Sequence, residues 1–203
     1  IAKYKRKGII LDIGCATGFL LDEAKKQGWE IYGVELSRWA AKFGREKFNL
    51  NIFEGALKKA RFPYNHFDAI VMIDSIEHLT DPKKTLEELR RILKPNGILC
   101  ISTPDIESFL SKFLGARWWG IQQSHLYYFS KKTLSKMLDV TGFNVIKYTP
   151  HIRVFSIKYW NRRIENYNKS LCELFNFISK YTCSQNKLLR VSFKDQIEVF
   201  VQK

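Results

Sequence analysis

The chain has 203 residues, 45% of them hydrophobic, which is enough for one sizeable core and favours a single domain over residues 1–203. It has no run of 18 apolar residues and no visible signal-peptide pattern, so we expect neither a membrane-spanning helix nor a secreted protein. The net charge of +14 attracts polyanions, but the basic residues are scattered, which favours solvated surface charge over a nucleic-acid or lipid site.

The first predicted unit is a strand, a loop, a helix and a second strand. The apolar run Ile9–Ile13 predicts a buried strand, a loop of small residues follows at 14–18, and an amphipathic helix leads to a strand that ends on Glu35. A helix N-terminus presents unpaired N–H groups, and glycines let a ligand approach the main chain. Glu35 lies 21 residues after Gly14, where a carboxylate can accept both hydroxyls of a ribose. The spacing predicts a nucleotide or nucleoside site.

Helices and strands alternate in the rest of the first half. The predicted elements are, in order, a helix at 39–48, strands at 50–53 and 67–73, a helix that begins at Asp81-Pro82 and stops at 94–97, and a strand at 98–102. Strands separated by helices predict an α/β fold with a Rossmann-like, doubly wound, mostly parallel sheet. Residues 1–104 then form the cofactor-binding half.

The second half, residues 105–203, is predicted to lie on the substrate side. Its predicted elements are a helix at 105–114, an aromatic segment at 117–120, a helix that begins after the N-cap Ser130 and ends near Gly142, and strands at 143–148 and 196–201. We expect these two strands to pair antiparallel at the edge of a seven-stranded sheet.

An insertion at about 154–192 separates the last two strands, and residues 154–181 carry apolar side chains at helical spacing together with lysines and arginines. One interpretation is a helical cover that packs on the sheet or on a partner subunit. The other is a basic, aromatic helix that contacts a membrane surface or closes over the substrate site. The sequence leaves both open.

The four cysteines, Cys15, Cys100, Cys172 and Cys183, form no C-x-x-C pair. This pattern favours a reducing compartment and a cytoplasmic protein over a disulfide framework or a structural zinc site. The chain begins with Ile, and its first strand follows within ten residues, so we expect a further segment upstream.

Five blocks of the sequence together resemble a known enzyme family. LDIGCATGFLLDEA, YGVELS, FDAIVMIDSIEHLTDP, LRRILKPNGILCISTPD and HLYYFSKKTL with GFNVI are similar to the class I S-adenosylmethionine-dependent methyltransferases, in the branch of the ubiquinone-biosynthesis O-methyltransferases and related bacterial small-molecule enzymes. The resemblance implies S-adenosylmethionine as cofactor. It also implies cofactor contacts at Asp12, Gly14, Cys15, Ala16, Gly18, Glu35, Leu36, Ala56, Leu57 and Asp74.

The loop itself argues against a dinucleotide, because G-x-G-x-x-G, which binds a pyrophosphate, is absent. A methionine tail lacks phosphate, and Asp12 can meet its ammonium group directly or through water. Two positions depart from the family pattern. Ala16 replaces the middle glycine of the loop, and Ala56 stands where the family often has an acidic residue that binds the adenine amino group. Adenine recognition then falls to the backbone near Leu57 and to apolar packing.

Asp74, Glu77 and His78 follow the fourth strand, at the sheet edge where α/β proteins bind ligands. In the quinone O-methyltransferases that this stretch resembles, similar residues can hold a divalent metal. We expect instead no metal, with Glu77 and His78 supporting the loop and Asp74 contacting the cofactor. His78 and His125 are the candidate catalytic bases, since an imidazole with a pKa of about 6.5 can remove a proton at neutral pH.

The sequence therefore predicts methyl transfer from S-adenosylmethionine to an oxygen or nitrogen of a small molecule. Two alternatives stay open. The charge of +14 motivates a nucleic-acid methyltransferase, although the N/D-P-P-Y/F motif of base amino-group methylation is absent. Ala16 and Ala56 motivate a cofactor-binding subunit that has lost catalysis. The methyl acceptor and the oligomeric state are not predicted.

Overall fold

A computed structural model describes residues 1, 3–156 and 188–203. They fall into two compact units, Ile1–Pro150 with Lys194–Lys203, and His151–Phe193. The strands of the first unit are β1 (Ile9–Ile13), β2 (Glu30–Glu35), β3 (Ile52–Glu54), β4 (Phe67–Ile73), β5 (Leu93–Pro104), β6 (Asn144–Pro150) and β9 (Gln196–Gln202). Its helices are α1 (Phe19–Lys26), α2 (Arg38–Phe48), α3 (Leu57–Ala60), α4 (Pro82–Ile92), α5 (Phe109–Leu114) and α6 (Lys131–Val140).

The seven strands of this unit form one sheet in the order β3-β2-β1-β4-β5-β9-β6. The pairs from β3 to β5 are parallel, and β9 runs antiparallel to both β5 and β6. The predicted α/β sheet and its antiparallel pair at the edge are confirmed, with β6 outermost. Strand order reverses between β1 and β4, and such a reversal opens a crevice at the carboxyl ends of the strands.

The core explains why these segments fold as they do. β1 and β4 are apolar except for Asp12 and Asp68, respectively, because both faces of the sheet are covered. Helix α4 begins at Asp81, whose side chain accepts a hydrogen bond from the backbone of Lys84, and Pro82 occupies its first turn. Its apolar stripe packs into the main core cluster through Leu86, Leu89 and Ile92.

Most predicted bounds in this unit shift by one or two residues, and two helix or strand starts shift further. β5 begins at Leu93 instead of residue 98, because Leu93 already pairs with Phe67 before an irregularity shifts the register. Helix α5 begins at Phe109 instead of residue 105, since Ser108 provides its N-cap by accepting a hydrogen bond from the backbone of Ser111. The predicted N-cap Ser130 is confirmed as part of a capping box at the start of α6.

The second unit contains a two-stranded antiparallel sheet of β7 (Arg153–Ser156) and β8 (Leu188–Val191). Both ends of the predicted helical insertion at 154–192 are therefore strands, and the prediction of a helix from residue 154 is wrong there. β-Branched and aromatic residues such as Val154 and Phe155 suit a strand as well as a helical stripe. Residues 157–187 of the insertion lie outside the described residues. Over the described part of the chain, every helix is too short or too polar to cross a bilayer.

Candidate active site

The loop after β1 is tied to the tip of β2. Gly14 donates its N–H to the Val34 carbonyl at 2.8 Å. The Glu35 carboxylate accepts from the Ala16 N–H at 2.8 Å through Oε2 and from the Ser37 N–H at 2.7 Å through Oε1. Each carboxylate oxygen has a second lone pair, so Glu35 can still accept two ligand hydroxyls. The 14–18 loop and the Glu35 carboxylate, which the sequence predicts to form one site, are thus joined by a hydrogen bond.

Gly14 has no room for a side chain. Its φ is +71°, in the left-handed region, and a Cβ at this position would overlap Ser75 Oγ on the loop after β4. The close approach of the two loops leaves the main chain of Gly14 on the wall of the cavity.

Gly14→Ala should weaken S-adenosylmethionine binding by at least about tenfold. The strain of about 1–2 kcal/mol and the clash with Ser75 would be relieved by a shift of the Gly14 main chain, which lines the cavity, and this shift would displace the groups that contact the ligand. Isothermal titration calorimetry measures the change in affinity. Gly28→Ala is the matched control, because Gly28 has a φ of +86° but its added Cβ would lie 3.5 Å from Lys7 Cε, away from the loop. Equal loss of affinity in both variants would contradict the close-approach argument.

Ala16 occupies a conformation that suits glycine. Its φ is +47°, although it carries a Cβ, and its N–H is the donor to Glu35 Oε2. A left-handed conformation costs a non-glycine residue about 1–2 kcal/mol. Alanine at the position where the resemblance leads one to expect a glycine therefore introduces local strain into the 14–18 loop.

Ala16→Gly should raise the free energy of unfolding by about 1 kcal/mol, because the strain is removed. Urea denaturation measures it. Ala24→Gly is the control and should lower the free energy of unfolding by about 1 kcal/mol, because Ala24 lies inside helix α1, where glycine is unfavourable. Destabilisation by both substitutions would show that the Ala16 backbone carries no strain.

A cavity of about 1020 Å³ opens at the carboxyl ends of β1, β2 and β4 and continues along α4. Seven predicted site residues line it: Gly14, Glu35, Leu36, Ala56, Leu57, Asp74 and His78. Leu36 is 75% exposed, so its apolar side chain is available to a ligand. Five others, Asp12, Cys15, Ala16, Gly18 and His125, lie outside the cavity lining.

Asp12 and Cys15 lie behind the loop. Asp12 is buried on β1 between Gly33 and Val71, and burial, followed by the charge of Glu35, raises its pKa from 3.8 to about 7. The Cys15 thiol is also buried, which raises its pKa to about 12. A Cβ on Gly33 would lie 2.7 Å from Cys15 Sγ, so the thiol points into the core. Neither side chain faces the cavity directly.

The region after β3 is held by the main chain. Gly55 donates its N–H to the Glu35 carbonyl at 2.8 Å, and Ala56 precedes the first residue of α3. Ala56 is exposed, whereas Leu57 is buried. This side of the cavity therefore offers a ligand apolar surface, backbone groups and one basic residue, Lys58.

The loop after β4 carries a buried carboxylate. Glu77 is 1% exposed, and its Oε2 accepts a hydrogen bond from Thr103 Oγ1 at 2.9 Å. Burial is the largest influence on Glu77 and raises its pKa. Its backbone carbonyl accepts the N–H groups of Leu126 and Tyr127, at 2.8 and 3.2 Å. The segment after α5 is thereby fixed against this loop.

His78 and His125 meet edge to face, with ring centroids 4.7 Å apart. The Nδ1 atoms lie 2.8 Å from the carbonyl oxygens of Ser124 and Gly120, respectively. A carbonyl only accepts, so each Nδ1 carries the hydrogen and each Nε2 keeps a lone pair. Burial lowers the pKa of His125. The two predicted bases, 47 residues apart in sequence, form one cluster.

Two residues of the site were missed by sequence reasoning. Thr103, on β5, holds Glu77, and Gln196, at the start of β9, donates a side-chain hydrogen bond to Asp74 Oδ1. Asp74 also has a φ of +46°. No local pattern marks Thr103 or Gln196, because both reach the site through sheet pairing.

Comparison with known proteins gives consistent results. Residues 1–148 match a family model described as a methyltransferase domain. A ubiquinone biosynthesis O-methyltransferase of Bradyrhizobium diazoefficiens is 30% identical over 115 residues, covering 54% of this chain and 46% of the relative. An uncharacterized protein of Methanocaldococcus jannaschii is 33% identical over 156 residues, covering 75% and 72%.

The fold also matches solved structures. A SAM-dependent methyltransferase from Archaeoglobus fulgidus superposes with a TM-score of 0.65 at 20% identity, covering 98% of this chain and 88% of that one. At this identity the likeness concerns the fold. The chain spans about half the length of the O-methyltransferases that it matches.

Proposed function

This chain belongs to the methyltransferase domain family, and from that premise we propose that it transfers the methyl group of S-adenosylmethionine to an oxygen or nitrogen of a small molecule. The supporting observation is Glu35, which lies on the cavity wall at the tip of β2 beside the Gly14 main chain. Its free lone pairs suit the two ribose hydroxyls of the cofactor.

The remaining parts of the cofactor have matching surroundings. The adenine ring would lie against Leu36 and Leu57, whose side chains offer apolar contact. The methionine tail would follow the main chain of the 14–18 loop, and the Asp12 carboxylate behind the loop would reach its ammonium group through a water molecule. These are the cofactor contacts that the sequence predicts for Asp12, Leu36 and Leu57.

Methyl transfer requires an acceptor in line with the sulfonium. The acceptor atom forms a bond to the methyl carbon, the carbon–sulfur bond breaks, and its electron pair stays on sulfur to give S-adenosylhomocysteine. Alignment at about 3–3.5 Å supplies most of the rate. The acceptor's proton would pass to Nε2 of His78, which lines the cavity, or of His125, whose ring contacts that of His78, since both atoms keep a lone pair.

An oxygen acceptor is favoured over nitrogen, because several relatives are named O-methyltransferases.

We also place the reaction in the cytoplasm. Cys15 and Cys100 are free thiols in the core, as expected for a protein kept in a reducing compartment.

The experiment has two stages. Isothermal titration calorimetry with S-adenosylmethionine and S-adenosylhomocysteine, in the presence of a chelator, should give one site per chain. Labelled-methyl transfer is then measured with catechols, phenols, amines and transfer RNA. Absence of binding at millimolar ligand would overturn the proposal. Transfer to RNA alone would assign the nucleic-acid alternative, and binding without transfer to any compound of a cell extract would assign an inactive subunit.

A further inference from the structure

We infer that Glu77, His78 and His125 form a site for one divalent transition-metal ion and that Asp74 is not among its ligands. One ligand atom from each of the three residues lies within 4.8 Å of the other two. The site deepens the proposed function, on which its catalytic role rests, but metal binding itself is independent of the cofactor. The sequence alone predicts Asp74, Glu77 and His78 as neighbours without a metal, and the structure brings His125 to Glu77 and His78 instead.

Both imidazoles are held as metal-binding histidines usually are. The Nδ1–H groups donate to the Ser124 and Gly120 carbonyls, and this leaves the two Nε2 lone pairs for a ligand. Histidine ligands in proteins almost always donate their other ring N–H to a carbonyl or carboxylate, which fixes the tautomer and the ring orientation. Here both carbonyls belong to the same short loop, so one segment orients both rings.

The carboxylate of Glu77 has an unsatisfied oxygen. Oε2 accepts from Thr103, whereas Oε1 is buried and has no hydrogen-bond partner among residues 1, 3–156 and 188–203. A buried carboxylate oxygen without a partner costs free energy, and a bound cation offsets this cost. Glu77 is 1% exposed, so bulk water does not provide the partner.

Asp74 is engaged elsewhere. Its Oδ1 accepts a hydrogen bond from the Gln196 side chain, and its backbone N–H donates to the Ser102 carbonyl at 2.9 Å. These contacts attach Asp74 to β5 and β9, and Asp74 is not part of the three-residue group. His125, from the loop before α6, contributes the third ligand.

The donor set selects the kind of ion. Two imidazoles and one carboxylate suit Zn²⁺, Fe²⁺, Co²⁺ or Mn²⁺, whereas Mg²⁺ prefers oxygen ligands. His78 lines the cavity, so one side of the site is open to an acceptor. A bound divalent ion lowers the pKa of a hydroxyl that it contacts. With the ion present both Nε2 lone pairs are occupied, and the acceptor's proton would leave to water instead of to a histidine.

The test uses the full chain after chelation, without cofactor. Calorimetric titration should show one Zn²⁺ per chain, bound at least about 100-fold more tightly than Mg²⁺, and Co²⁺ should give visible absorption bands. Glu77→Gln and His125→Asn should each weaken Zn²⁺ binding by more than about tenfold. Loss of a residue that only hydrogen-bonds to a metal ligand can already cause a roughly tenfold loss, so loss of a ligand should cause more. Asp74→Asn and the control His66→Asn should leave it within about threefold, since His66 packs on Tyr32 and Phe67 outside the cluster.

Zinc-loaded wild-type protein supplies a measurement that needs no variant. X-ray absorption should show two imidazole nitrogens and oxygen around zinc. Sulfur around zinc would place the ion on a cysteine and overturn the inference. Absence of zinc binding, or a loss of zinc affinity in Asp74→Asn as large as in His125→Asn, would also overturn it. If the chain binds S-adenosylmethionine in chelator but no metal, the inference fails while the proposed function stands.

Discussion

Glu35→Ala is expected to bind S-adenosylmethionine at least about 100-fold more weakly than the wild type. Hydrogen bonds to a charged group contribute about 1.5–3 kcal/mol each, and two ribose hydroxyls would lose theirs. The substitution also removes the acceptor for the Ala16 and Ser37 N–H groups, which position the cofactor loop. Isothermal titration calorimetry with cofactor and demethylated product measures the effect.

Two further variants separate these causes. Glu35→Gln keeps an acceptor of similar shape without charge, so its affinity for S-adenosylmethionine should lie between those of Glu35→Ala and the wild type. Glu30→Ala removes a carboxylate from the opposite end of the same strand, where it accepts the Tyr32 hydroxyl at 2.9 Å, and should leave affinity unchanged. Wild-type affinity in Glu35→Ala would remove the ribose contact from the proposed function.

Asp12→Asn should abolish a loss of up to about 4 kcal/mol in the free energy of unfolding that the wild type undergoes as pH rises. Below pH 3.8 the carboxyl is protonated in both the folded and the unfolded chain. Between pH 3.8 and about 7 the unfolded chain ionises while the folded chain keeps its proton, so the free energy of unfolding falls as pH rises. Above about pH 7 this loss is complete. The asparagine has no charge to bury, so the variant escapes the loss.

Urea denaturation of wild type and variant at several pH values between 4 and 8 measures this difference. The stability of Asp12→Asn relative to wild type should rise across that interval. Glu23→Gln is the control, because it removes a carboxylate that is 65% exposed on α1. A constant difference between Asp12→Asn and wild type would mean that Asp12 titrates alike in both states.

The sequence predicted those elements whose signal is local. β1 and β4 have the predicted bounds, Ile9–Ile13 and Phe67–Ile73, because strands buried on both faces are nearly continuous apolar runs, here with one aspartate in each. The hydroxyl of Ser130 identified the start of α6 because capping depends on residues within one turn. The early start of β5 was missed, since pairing of Leu93 with Phe67 is decided across strands.

The candidate site was likewise predictable only where its residues are close in sequence. The glycine loop and Glu35 follow each other closely in sequence, and their connection through the Ala16 N–H was within reach of spacing arguments. The meeting of His78 with His125 was not, because it depends on the Glu77 carbonyl anchoring Leu126 and Tyr127, which come 49 and 50 residues later. The positive φ of Ala16 was likewise invisible, since alanine gives no signal for a left-handed conformation.

The position of β9 has a consequence for biosynthesis. This strand is made after β6 but inserts between β5 and β6, so during translation both neighbours present unpaired edges until β9 has left the ribosome. Gln196, its first residue, also supplies the hydrogen bond to Asp74. The nascent polypeptide therefore cannot complete its ligand-binding edge until β9 has emerged and inserted, and before that point the open edges of β5 and β6 need chaperone protection.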